Sequence, residues 1–477
     1  MQPRDVLAIF SESLFPGYSG ESPELDPRIG EVAREAVSNL ETNVASRYDE
    51  LSGEAKTDLL HALSRLLGSL SLFDASFQAS RRVARSWVSV QSELLTRLKQ
   101  DRRDIQRMFA AEGAATGQVQ RLRLDLSDRH DDGRTVTAIT FESGLNIIYK
   151  PRDIGIENWY SDFSLCLNEL GAPQQFRGVK VLRRGSYGWA ELIPHARCRD
   201  NTELTEYYRN AGALLCLLHV LRASDCHFQN VIASGVDPVL VDSEMLFQPR
   251  LREDGDCISV RRTGMIPHWN RGSGSHSYDL SALGCVMPIP TPFQVPVSTA
   301  QGIRLQKAAL VPEQNVPFPV DDRVEPQAYV AEMVDGFQQT YRFLAAHRRE
   351  LLTQMECVRG EHVRYVLRDT LEYYQALTEA LGPGVTGQVT LGPLPSFRAL
   401  FSSLEKDEVS SLERLDIPRF TLPTASRDLA GLKDCFAVSG YDLACQALKR
   451  LSEEDMQQQV AFIKLAWSFY RVSRSLS

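Results

Sequence analysis

The sequence predicts an α+β fold, and three observations carry that reading. Leucines recur at helical spacing through residues 59–70, where Leu59, Leu60, Leu63, Leu66, Leu67 and Leu70 form one stripe. The period then shortens to two in RTVTAITFESGLNIIYKPR, residues 134–152. A polar loop between a helix and a small hairpin follows in SDCHFQNVIASGVDPVLVDSEMLF, residues 224–247.

The chain has 477 residues, enough for two to four structural units. Changes of texture divide it into a helical region over 1–115, a β-rich unit over 116–200, a larger unit over 201–345 and a helical region over 346–477. In the first region Thr57 is placed to cap the leucine helix, and the Arg-rich RLKQDRRDIQR from Arg97 reads as a solvated helix face. The β-rich unit holds a hairpin with Val136, Ala138 and Thr140 on one face, ESG as its turn, and a second strand from Leu145 to Lys150. SYGWAELIP adds one more strand.

Next, ELTEYYRNAGALLCLLHVL reads as a largely buried helix, and VIAS and PVLVD form two short strands joined by GVD, with Asp242 at the exit. Helices are expected to dominate the remainder, interrupted by loops at HWNRGSGSHS and PLPSF. The last helix has Ser452 and Asp455 in cap spacing and an apolar face of Val460, Ile463 and Trp467.

A net charge of -8 and a pI near 5.7 argue against nucleic acid or an anionic membrane as partner. The nine cysteines are scattered, without CxxC or zinc spacing, which suits a cytoplasmic protein. No signal peptide is read at the N-terminus, and the longest apolar run, AGALLCLLHVL, is too short to span a bilayer.

The order helix, loop with Asp225, Asn230 five residues later, hairpin and Asp242 is that of the catalytic half of kinase-like folds. Magnesium wants hard oxygen ligands, and such a loop and hairpin bring them to one point. Lys150, ending a strand upstream, supplies a cation for phosphates. The ESG turn has a single glycine where protein kinases have a Gly-rich loop, so the expected branch is lipid-kinase-like and two-lobed. Taken singly, each acid reads as a cap or turn former and Lys150 as a strand end. Together, their order favours a site.

From about residue 120 onward the chain resembles the dehydratase domain of class II lanthipeptide synthetases, the LanM-type enzymes. The resemblance rests on SDRHDDGRTV, IIYKPR, YGWAE, SDCHFQNVIASGVDPVLVDSEMLF, TGMIPHW with DLSALG, VRYVLRDTLEY and LDIPRF, in that order. It implies that ATP phosphorylates Ser or Thr of a ribosomal precursor peptide, after which phosphate is eliminated to leave dehydroalanine or dehydrobutyrine. It further implies that Asp225 handles the hydroxyl proton, His227 supports the loop, Asn230 and Asp242 bind Mg2+, and Lys150 contacts the ATP phosphates. Glu244 is expected to assist at the metal, and Asp128 with His130 to lie near the phosphates.

Arg364 and Thr370 match the residues that expel phosphate, and Arg368, one helical turn after Arg364, is placed to join them. The base that takes the α-proton does not follow; His130 and His227 are both candidates by chemistry.

The chain departs from the family in three ways. Gln229 stands where the family often has Glu, the region before residue 120 is short, and no zinc-binding cyclase region follows. The expectation is a stand-alone dehydratase, either with a separate cyclase or other modifying enzyme as partner or in a pathway without cyclisation. A kinase without elimination and a non-catalytic subunit of a peptide-modifying complex are the alternatives.

Overall fold

The computed structural model describes residues 27–71, 77–251, 259–271, 277–286, 288–299, 302–318, 325–381 and 389–474. The fold mixes helices with small antiparallel sheets, as the α+β reading expected. It begins with α1 (Pro27–Tyr48), α2 (Gly53–Ser71) and α3 (Phe77–Phe109). Leu59, Leu63 and Leu67 are fully buried in the core, and Leu60 and Leu66 pack against it partly buried. The cap of α2 is Ser52, whose Oγ accepts from the Ala55 N–H at 3.1 Å. Thr57 lies inside the helix and donates back to the Gly53 carbonyl at 2.9 Å.

The Arg-rich stretch of α3 is a solvated face only in part: Lys99, Gln100, Arg103 and Arg107 are exposed, but its other side meets the sheet. Arg97 donates to the Tyr149 hydroxyl at 2.5 Å, and Asp101 accepts from Tyr187 and Trp189 at 2.8 Å each. Alternating charges read as solvent-facing until a partner sheet supplies Tyr and Trp donors that a sequence period does not reveal.

That sheet contains β1 (Val119–Arg123), β2 (Thr137–Phe141), β3 (Asn146–Lys150), β4 (Val181–Arg183) and β5 (Gly188–Glu191), with α4 (Gly155–Glu169) between β3 and β4. The order is β1-β2-β3-β5-β4, antiparallel throughout. The expected hairpin is β2–β3, with Ile139 opposite Ile147. Both faces are covered rather than one. Ile139, Phe141, Ile147, Tyr149 and Trp189 pack with the N-terminal helices, whereas Ala190 and Ile148 meet Ile154, Ile232 and Val239.

Behind the second face stand α5 (Asn201–Val220), capped by Asp200, and the hairpin β6 (Val231–Ser234) and β7 (Asp237–Leu240). Gly235, at φ 65°, makes the turn of that hairpin. Two further hairpins follow: β8 (Trp269–Arg271) with β9 (Ser277–Asp279), and β10 (Ile289–Thr299) with β11 (Gly302–Leu310). The second falls where helices were expected. Residues 272–276, within the expected HWNRGSGSHS loop, lie outside the described residues.

The remainder comprises α6 (Val330–Ala346), α7 (Arg348–Met355), β12 (His362–Tyr365), α8 (Thr370–Leu381), α9 (Glu405–Glu413), β13 (Phe420–Pro423), α10 (Gly440–Arg450) and α11 (Glu453–Arg474). VRY of VRYVLRDT is therefore strand, not helix, because FTLP pairs with it: Arg364 lies opposite Thr421 and Tyr365 opposite Phe420. The final helix is as expected, with the Ser452 hydroxyl accepting from the Asp455 N–H at 3.2 Å. Among the described residues no helix is long and apolar enough to cross a membrane.

Candidate active site

The buried α5 delivers the chain into a loop that is pinned by its own backbone. The Cys226 N–H donates to Thr263 at 2.8 Å and the Phe228 N–H to Leu280 at 3.0 Å, so the TGMIP and DLSALG segments hold it from below. Gly264, at φ 81°, lets this contact close: a Cβ there would stand 3.2 Å from the Cys226 nitrogen. Asp225 sits at φ 61°, the left-handed region that a non-glycine residue occupies only when its surroundings impose it.

Within the loop, Asn230 Nδ2 donates to the Asp225 carbonyl at 2.8 Å, which leaves the amide oxygen turned away from that bond. His227 Nδ1 accepts from the Gln229 N–H at 3.2 Å, and its Nε2 lies 3.8 Å from the Asp225 carboxylate. Asn230 also joins the hairpin exit, because its carbonyl accepts from the Val241 N–H at 2.9 Å. Asp225 and Asp242 are thus brought together by one short hairpin. Burial raises the Asp225 carboxyl above its usual value although half of its side chain reaches solvent, and His227 and Arg364 oppose the rise.

Lys150, at the end of β3, is buried and donates to the Val241 carbonyl at 2.9 Å, with Glu157 of α4 at 3.4 Å. Two residues on, Arg152 reaches three carboxylates: Glu157 at 2.5 Å, Asp242 at 3.0 Å and Glu244 at 3.3 Å. These acids hold its guanidinium firmly charged against burial.

Glu244 is the hub. Its carboxylate meets Arg364 at 3.0 Å and both Arg152 and Arg419 at 3.3 Å. Its carbonyl accepts from the Arg364 N–H at 2.7 Å, so β12 is tied to this segment through the backbone as well. Burial opposes ionisation of Glu244, but the three guanidinium groups outweigh it and hold the carboxyl well below its usual range. With both oxygens on arginines, Glu244 serves as their shared counter-ion.

Asp128 and His130 arrive from the segment before β2. Asp128 accepts from the Tyr374 hydroxyl at 2.5 Å, and burial raises its carboxyl against the pull of Tyr374 and Arg364. His130 Nδ1 donates to the Ile417 carbonyl at 2.7 Å. Burial and the neighbouring Arg364 and Arg419 lower this imidazole to about 3, so it is neutral near pH 7 with Nε2 left as an acceptor.

Arg368 does not join Arg364. It is buried elsewhere, with Glu408 at 3.0 Å, and Tyr373 donates to the same carboxylate at 2.6 Å. Thr370 opens α8, the helix that carries Tyr374 to Asp128. Four residues of the cluster were missed: Arg152, Glu157, Tyr374 and Arg419. Arg152 and Arg419 stand inside quoted motifs, IIYKPR and LDIPRF, and Glu157 lies in the first turn of α4, the helix that follows β3. Tyr374 gave no signal of its own.

Among the described residues no group of three or more His, Cys, Asp or Glu is arranged to hold a metal by itself. The bonds described for Asn230 and Asp242, however, use the Asn230 Nδ2 and Asp242 Oδ1 atoms, and the two residues flank one hairpin closed by the Val241 N–H on the Asn230 carbonyl, so each offers a second, hard oxygen. They fit a divalent ion that draws its other ligands from phosphates and water.

A family model described as "Domain of unknown function (DUF4135)" matches residues 78–423. The chain belongs to this family. The DUF4135 match spans the sheet, the pinned loop, the Glu244 hub and both strands of β12–β13. A curated relative, the lacticin 481/lactococcin biosynthesis protein LcnDR2 of Lactococcus lactis subsp. lactis, is 24% identical over 420 residues. The alignment covers 80% of this chain but only 44% of the relative, so the chain spans less than half of that protein's length. Together these matches support a LanM-type dehydratase-like domain, in agreement with the motif resemblance.

Proposed function

We propose that this DUF4135 chain phosphorylates Ser and Thr residues of a ribosomal precursor peptide with ATP and then eliminates the phosphate, leaving dehydroalanine or dehydrobutyrine. The observation that carries the reading is the Glu244 hub, which ties the Asp225–Asn230–Asp242 loop to Arg364 at 3.0 Å. Residues suited to phosphoryl transfer and residues suited to expelling phosphate therefore meet in one place. The relative's printed role in lacticin biosynthesis supports a peptide substrate.

In this reading the five-stranded sheet with α4 is the small lobe of a lipid-kinase-like core, and α5, the β6–β7 hairpin and α6 belong to the large one. Lys150 binds phosphate while Glu157 holds it in place, the strand-lysine and helix-glutamate pairing of kinases. Asp225, with its raised carboxyl, accepts the substrate hydroxyl proton. Asn230 and Asp242 would hold magnesium, which when bound offsets charge on the transferred phosphoryl group.

In the second step a base removes the Cα proton, its electron pair becomes the second Cα–Cβ bond, and the Cβ–O bond breaks with its pair leaving on phosphate. Arg364 holds that phosphate and Thr370 assists. His130 and His227 are the two candidates for this base; the Ile417 carbonyl holds the His130 proton on Nδ1, but the low proton affinity of that buried imidazole counts against it. Asp128 orders the same region. Both steps belong to the cytoplasm, where ATP is found, and a separate cyclase or other modifying enzyme is the partner we propose.

Asp242→Asn should lower phosphorylation at least about a hundredfold, while Arg364→Ala should keep it and accumulate phosphopeptide. Mass spectrometry of a co-expressed precursor reads both. If the two variants fail alike while folded, the division of roles is wrong.

A further inference from the structure

LDIPRF is a motif that the two-step scheme leaves without a chemical task, yet it enters the centre of the cluster. Its backbone is anchored on both sides of His130. The Ile417 N–H donates to Arg129 at 2.7 Å, the Ile417 carbonyl accepts from His130 Nδ1 at 2.7 Å, and Asp416 accepts from the Asp132 N–H at 2.6 Å. Two residues beyond Ile417, just before β13, Arg419 faces the Glu244 carboxylate at 3.3 Å. On the paired strand Arg364 takes the other oxygen of the same carboxylate at 3.0 Å.

Arg152 is met by Glu157 and Asp242 as well as Glu244, whereas among the described residues Arg364 and Arg419 both pair with the Glu244 carboxylate, with Asp128 and Asp225 acting on Arg364 from farther away. His130 beside them is neutral. Two guanidinium groups thus converge on the two oxygens of one carboxylate, at mostly buried side chains, 14% and 15% exposed. Two planar donor sets that converge in this way are suited to an oxyanion such as phosphate.

We propose that Arg419 is a second catalytic arginine for elimination, binding the phosphate as it leaves. The inference rests on the proposed function and adds a residue to its second step. The base takes the Cα proton, the Cα=Cβ bond forms from that electron pair, and the Cβ–O pair departs on phosphate, whose oxygens Arg364 and Arg419 hold together. Glu244 spaces the two arginines before the phosphate arrives.

The test uses the whole chain and a precursor peptide with phosphoserine installed chemically, so that elimination is read without prior phosphorylation. Phosphorylation of the unmodified peptide is measured in parallel. Arg419→Gln should slow elimination by about tenfold to a hundredfold, the effect of one charge-assisted hydrogen bond, and leave phosphorylation within about twofold. Arg419→Lys should recover part of the elimination rate, because it restores charge without the two-pronged geometry. Unchanged elimination in Arg419→Gln would overturn the proposal, as would parallel loss of both activities in both variants, which is the mark of a structural role. If the wild-type chain itself releases no phosphate, the parent reading falls instead.

Discussion

Glu244 shows how one carboxylate organises residues from three regions of the chain. Removing its charge by Glu244→Gln leaves Arg152, Arg364 and Arg419 facing one another with one counter-ion fewer. Breaking such a buried network should cost about 3 kcal/mol, readable as a lower urea midpoint at unchanged slope. At this scale the sequence was informative wherever partners sit within one short segment. Asp225, His227, Asn230 and Asp242 were found because a hairpin places them together. Arg419 and Tyr374 were not, because their partners lie 175 and 246 positions away. No period or spacing encodes such distances.

Elements were legible where their own pattern decides them and illegible where a distant partner does. The leucine helix, the buried α5, the β2–β3 and β6–β7 hairpins and the capped α11 all follow from local periodicity and turn residues. β12 does not, since HVRY is a strand only because FTLP pairs with it. The long β10–β11 hairpin was hidden by prolines at 290, 292 and 296, residues that usually argue against a strand. Helix packing makes a sharper claim. At the α5–α6 crossing a Cβ on Gly336 would stand 1.9 Å from the Arg209 carbonyl, and one on Gly212 would stand 1.9 Å from the Met333 carbonyl. Gly336→Ala should therefore force the helices apart and destabilise the fold by about 2 kcal/mol or more, although alanine is the better helix former. Thermal unfolding checks it.

For the whole molecule, the two-faced sheet joins the N-terminal helices to the hairpin that carries Asn230 and Asp242. Neither covering was read in full from the sequence, because alternation marks a strand's faces but not what lies against them. Burial also sets a pH dependence. His219 is buried in α5 and lowered to about 4 by desolvation and by Arg222. Its folded value lies below its unfolded one, so the stability it permits is complete above about pH 6.5 and declines as pH falls toward 4. His219→Leu should flatten that decline by up to one proton, seen as a gap from wild type that narrows or reverses with acidification in unfolding curves.

The central claim is that one cluster performs both phosphoryl transfer and elimination. Intact-mass spectrometry of a precursor peptide co-expressed with this chain tests it most directly. The account predicts loss of one water per modified Ser or Thr in the wild type, and retained phosphate with Arg364→Ala. An unmodified peptide, together with no ATP turnover by the folded chain, would contradict it.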